Sequence, residues 1–185
     1  ARDKSFLLDV PAQPNVYAGT GNAEGGDDLT GKRKPIVLGE MWIVPPVLVD
    51  STNLIYQVHS GPLNIGAGAV RDRAASLTNP FAVDSATSAA MKAATLTYTY
   101  ETCVAEGFVR LKNAPGGAVT ADITNAAADD FPSAVRYIVG LATDIGEAGI
   151  DGTSFDIVAL AQPEGCGRYY SPTDSVTAAD VINDL

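Results

Sequence analysis

His59 is the only histidine in this 185-residue chain, so a catalytic triad or a histidine-ligated metal centre would have to use it. A metallopeptidase helix of the His-Glu-x-x-His type needs two histidines and is excluded. Serine hydrolysis needs a histidine near an acid and a serine on a sharp elbow, and no Gly-x-Ser-x-Gly occurs. His59 follows an apolar run and precedes Ser60-Gly61-Pro62. It is therefore expected at a strand end, solvated or hydrogen-bonded. Paired carboxylates occur at Asp27-Asp28 and Asp129-Asp130. Glycoside cleavage uses two carboxylates placed across one bond, whereas sequence-adjacent acids more commonly serve turns and helix caps. Asp144, Glu147, Asp151 and Asp156 supply oxygen ligands of the kind calcium takes, but their spacing does not match an EF-hand loop. Tyr98, Tyr100, Tyr169 and Tyr170 could stack on sugars, although packing in the core or at its rim is the simpler expectation. Arg110 and Arg136 are expected to pair with acids.

Cys103 and Cys166 fit neither a zinc knuckle nor a redox pair by spacing. They are expected as two free, largely buried thiols. The loop Gly19-Thr20-Gly21-Asn22-Ala23-Glu24-Gly25-Gly26 invites a phosphate-binding interpretation, which fails on spacing. A Walker loop ends in Gly-Lys-Ser/Thr, and a dinucleotide fingerprint would need glycine at position 24, where glutamate stands. No catalytic, cofactor-binding or metal-binding residue is assigned, no cofactor is expected, and the chain is not expected to be an enzyme.

The elements that hold these residues are legible in part. Lys34 to His59 contains three short apolar runs, Ile36–Leu38, Ile43–Val49 and Leu54–Val58, separated by Gly39, Pro45-Pro46 and Asp50-Ser51-Thr52-Asn53. β-branched and aromatic residues suit a half-buried pleated surface, and the separators mark breaks. Two or three consecutive strands are predicted, with the prolines at an edge or a break. Another strand or two is predicted within Ile65 to Leu77, then a short helix or loose connection over 82–94. Thr95–Val104 alternates with period two, and Phe108–Leu111 and Val119–Ile123 flank Pro115-Gly116-Gly117. A three-stranded meander is predicted there. From Asp130 the period becomes helical, with Pro132 in the first turn. Thr153 with Asp156, and Thr177 with Asp180, have capping-box spacing, Phe155, Val158 and Ala159 mark one apolar face, and Pro163 is expected to end the helix they belong to. The predicted class is α+β: a β-rich N-terminal half, then a meander followed by two or three short helices. The predicted organisation is a framework segment over 1–92 and a small α+β domain over 93–185, truncated in its last helix. Without an initiator Met, and stopping soon after Thr177, the sequence is expected to be a fragment of a longer polypeptide.

Charge narrows the function further. Residues 1–92 carry 8 basic and 9 acidic groups, and residues 93–185 carry 4 basic and 13 acidic. Phosphate-backbone binding needs clustered Lys and Arg, so nucleic-acid binding is not expected. No apolar run reaches the ~20 residues of a membrane span.

Several segments resemble the tail-tip or baseplate-hub proteins of long-tailed bacteriophages and phage-like gene transfer agents. They are RDKSFLLDVPAQPNVYAGTG, EGGDDLTGKRKPIVLGE, VPPVLVDSTNLIYQVHSG, GFVRLKNAPGGAVTADI and GIDGTSFDIVALAQPEGCGRYYSPTDSVTAADVINDL, which together cover most of the chain. The resemblance implies a structural module that packs against other tail proteins and copies of itself, a trimer by analogy. It would be located in the virion tail, after assembly in the cytoplasm of the bacterial host. The alternative is a glycan-binding or glycan-cleaving tip module built on the tyrosines.

Overall fold

The computed structural model describes residues 8–143, 145, 149–161 and 164–185. Its strands are β1 (Ile36–Val44), β2 (Val47–Asp50), β3 (Ile55–Gln57), β4 (Asn64–Asp72), β5 (Ala75–Ser76), β6 (Tyr100–Cys103), β7 (Phe108–Leu111), β8 (Val119–Asn125) and β9 (Gly167–Tyr170). Its α-helices are α1 (Ser88–Ala93), α2 (Phe131–Ala142), α3 (Gly152–Ala161) and α4 (Ala178–Asp184). The α+β class and the β-rich N-terminal half are as predicted.

Two antiparallel sheets form, one in the order β5-β4-β8-β1-β9 and one in the order β2-β3-β7-β6. Alternation along β1 shows how they stack. Val37 points into a core shared by both sheets, with Tyr56, Val70, Tyr100, Val109 and Ile123. Ile36 and Leu38 point the other way, onto Ala134 and Ile138 of α2 and Val181 of α4. A third core covers the outer face of the four-stranded sheet: Ile55, Cys103 and Phe108 meet Tyr17 and Leu29, which flank the Gly-rich loop, and Met91 of α1. The layers are thus helices, five strands, four strands, and loop with α1.

The Pro45-Pro46 break lies where the chain leaves one sheet for the other, and β2 is an edge strand, as expected for residues that donate no ladder hydrogen bond. Gly39 is not a break. It sits inside β1 at φ 64°, and a Cβ there would collide with the Cys166 carbonyl. Its role is to let β9 and its lead-in approach.

The second half departs from the predicted meander. β6 and β7 pair, but β8 does not join them: it enters the other sheet between β1 and β4. The Asn113–Gly117 turn is therefore a crossover between sheets rather than a hairpin loop. Likewise β3 pairs with β7. The boundary placed after residue 92 consequently runs through both sheets, because strand alternation reports which face is buried but not which strand lies alongside.

The helices have local causes. Asp130 caps α2 by accepting from the Ser133 N–H at 2.7 Å, with Pro132 in the first turn. The capping box of Thr177 and Asp180 is complete at α4. α3 begins two residues earlier than the Thr153 cap predicts. Asp151 caps it instead, through Ser154 N–H at 3.4 Å and Ser154 Oγ at 2.6 Å. Pro163, expected to end this helix, lies outside the described residues.

Candidate functional site

His59 is fully buried, not solvated. β8 ends at Asn125, opposite Gly39, so Val37 lies beyond the last β1–β8 pair. Two side chains stand in for the missing strand. The Val37 N–H donates to His59 Nδ1 at 3.0 Å, and Asn125 Nδ2 donates to the Val37 carbonyl at 2.8 Å. With Nδ1 accepting, the neutral ring carries its proton on Nε2, 3.0 Å from the Tyr137 hydroxyl of α2. Burial lowers the imidazole pKa to about 4. This histidine is a neutral strut between β1 and α2.

The remaining candidates fall into framework roles as well. Asp27 and Asp28 form a single 3-10 turn with Leu29. Asp129 gives its carbonyl to the Cys166 N–H at 3.0 Å, beside the Asp130 cap. Of the four acids weighed for an ion, Asp144 and Glu147 lie outside the described residues, Asp151 caps α3, and Asp156 lies 3.8 Å from Arg136. No group of metal-ligating side chains gathers among the described residues. Arg136 meets an acid as expected. Arg110 instead donates to the carbonyls of Met91 (2.6 Å), Lys92 (3.0 Å) and Ala94 (2.9 Å), closing the C-terminal end of α1.

The cysteines are free and lie in different cores on opposite outer faces of the two sheets. Burial pushes the Cys103 thiol up to about 11 and raises that of Cys166, whose Sγ also donates to the Ala128 carbonyl at 3.3 Å. Both are held as thiols, the unreactive form. Tyr100 is buried in the shared core. The Tyr169 hydroxyl donates to the Pro45 carbonyl at 2.9 Å and the Tyr170 hydroxyl to Asp184 at 3.1 Å. Burial is the main cause raising both phenols to about 12. Tyr98 packs on exposed Phe81, centroids 5.8 Å apart.

The clefts collect little chemistry. One of about 520 Å³ beside β9 is lined by Phe131, Ala161, Glu164, Cys166, Arg168 and Leu185 among others. A second, of about 560 Å³, lies over α1 and exposes Asn22, Asn53, Ser88 and Lys92. Neither includes His59 or any of the four tyrosines.

What the sequence analysis missed is on the surface. β1 carries a bulge between Met41 and Val44, both of which face the shared core. The extra residue turns Trp42 and Ile43 outward, at 67% and 65% exposure. Ile43 adopts φ 60°, a left-handed conformation that a β-branched side chain rarely takes. Asp122 of β8 holds it there. One carboxylate oxygen accepts the Ile43 N–H at 3.0 Å while both oxygens engage the Arg71 guanidinium from β4. That hydrogen bond to Arg71 is the main reason the Asp122 pKa is lowered. The sequence signal available was Trp42-Ile43 one residue ahead of Pro45-Pro46, where alternation fails.

No family model, curated protein or solved structure matches this chain. Among the described residues, no helix is long and apolar enough to cross a membrane.

Proposed function

We propose that this chain is a structural component of a phage or prophage tail tip, acting by protein–protein assembly. The observation that carries this reading is the outward Trp42-Ile43 bulge. Strain at a β-branched residue persists only where its surroundings impose it, and such positions concentrate at functional sites. Tryptophan is also among the residues that dominate binding energy at protein interfaces. The buried strut formed by His59 and the backbone-holding roles of Arg110, Asp129 and Asp130 suit a rigid framework presenting such a surface. The segment resemblance supplies the tail-tip context, with other tail proteins and copies of the chain as partners and the virion tail as location.

The test is incorporation. In tails purified from an induced culture, the protein is expected at fixed stoichiometry to the other tail proteins. A Trp42→Ser, Ile43→Ser variant that melts like the parent should be excluded from them. Tails that form normally without the protein, or that take up the double variant unimpaired, overturn the reading. The glycan reading keeps one supporting observation, the half-exposed Tyr98 against Phe81. A glycan array and a cell-wall hydrolysis assay, both blank, would dismiss it.

A further inference from the structure

α3 is apolar almost all round, Gly-Thr-Ser-Phe-Asp-Ile-Val-Ala-Leu-Ala, yet none of its ten residues is buried. Phe155 and Val158 turn toward α2 and α4 and line an apolar groove of about 270 Å³ with Phe131, Pro132, Val135 and Ile182. Ile157, Leu160 and Ala161, spaced as one helical face, turn outward. Ile157 is 62% exposed and Leu160 85%. A helix this short is marginal in water unless packing covers an apolar side, and the described residues cover only the inner one.

Charge selects what covers the outer side. Residues 129–185 hold ten acids and two arginines, so this part of the sequence carries −8 of the chain's net −10. Asp156 stands one turn before Leu160 with its side chain 76% exposed, Asp151 is exposed at the helix start, and Glu164 is exposed just beyond its end. Arg136 is drawn toward Asp156 and Arg168 toward Asp184. A second copy would bring like carboxylates together around the apolar face, which disfavours pairing.

We propose that α3 is a docking helix for a segment of another protein that carries apolar anchors flanked by Lys or Arg. This rests on the assembly reading but uses a different surface from the Trp42 bulge. The partner's anchors would cover Ile157 and Leu160, while its cations would meet Asp156, Asp151 and Glu164 at the rim.

The probe is a synthetic amphipathic helix with leucines on one face and Lys or Arg on both flanks, titrated into the labelled chain by fluorescence anisotropy. A peptide with the same leucines but Glu flanks is the comparison. The basic peptide is expected to bind, the acidic one to bind at least about tenfold more weakly, and added salt to weaken the basic one. Ile157→Gln with Leu160→Gln, both at exposed sites, should reduce binding about tenfold or more while leaving the melting temperature unchanged. Asp156→Asn should flatten the salt dependence. Equal binding of the two peptides, no binding of either, or indifference to the glutamine pair overturns the proposal. So does a concentration-dependent dimer in sedimentation that the glutamine pair abolishes, which would make a second copy the occupant. If docking fails while the protein is still found in tails, the assembly reading stands. If docking holds while the protein is absent from tails, the tail reading falls alone.

Discussion

At Val37 two side chains do the work of a strand, and the consequence is a pH dependence. The neutral His59 ring accepts the Val37 N–H on Nδ1, and burial holds its pKa at about 4 against an ordinary 6.5. The unfolded chain therefore binds a proton that the folded chain refuses between those values. Stability rises with pH through this window and is lost on acidification from about pH 6.5 downward, by about 3 kcal/mol in full. Carboxylates held low by hydrogen bonds, such as Asp122 and Asp180, act in the same direction but only at more acidic pH. Urea unfolding between about pH 7 and about pH 4.5 should show the slope, and His59→Gln should remove it. An unchanged slope in His59→Gln would show that another group titrates. Ile43 makes the opposite kind of prediction. Its side chain is mostly exposed and its φ is 60°, so Ile43→Asn, which tolerates that conformation, should gain up to about 1 kcal/mol in chemical denaturation. Ile43→Val should not. If the strain serves assembly, the asparagine variant will be the more stable protein and the poorer tail component.

Between residues 64 and 72 the element itself is irregular. Ile65 pairs with Ile123 and Val70 with Ala121, so three extra residues bulge from β4 between them. Tyr100, from the other sheet, pins that bulge: its hydroxyl accepts the Gly68 N–H at 2.9 Å and donates to the Gly66 carbonyl at 3.1 Å. Tyr100→Phe leaves both backbone groups without that partner and should cost about 1–3 kcal/mol, with faster exchange of the Gly68 amide. A melt matching the parent would mean that water replaces the hydroxyl. The sequence showed the β4 run and the tyrosine but not their meeting, because contacts between sheets leave no local pattern. The same limit explains β8. Its alternation of buried Val119, Ala121 and Ile123 was readable, while its place between β1 and β4 was not. The Thr177 capping box was legible, since its donor and acceptor lie within three residues of each other. α3 misled at its start, where Thr153 and Asp156 have capping-box spacing but Asp151 caps the helix, while Phe155 and Val158 of the predicted face do turn toward α2 and α4.

The whole molecule is bound together by pairings distant in sequence. Of the thirteen buried residues in the core between the sheets, seven come from residues 37–70 and six from residues 100–123. Neither set can close a core alone. A chain of residues 1–92 would hold β1 and β4 with the strand between them missing, and β3 with its β7 edge open. Residues 93–185 would keep the β6–β7 hairpin, and isolated hairpins are at best marginal in water. α2 and α4 would lose Ile36 and Leu38, the strand residues they cover. Expressed separately, each piece should give a collapsed, poorly dispersed amide spectrum, and mixing them should restore dispersion with a one-to-one complex. Unfolding of the 185-residue chain should be a single transition when followed both by Trp42 fluorescence and by far-ultraviolet dichroism, because the two halves contribute to the same sheets. A well-dispersed spectrum from residues 93–185 alone would show that the second half is an independent folding unit. The crossing of β8 would then be a docking of one domain onto another rather than the step that completes a shared core.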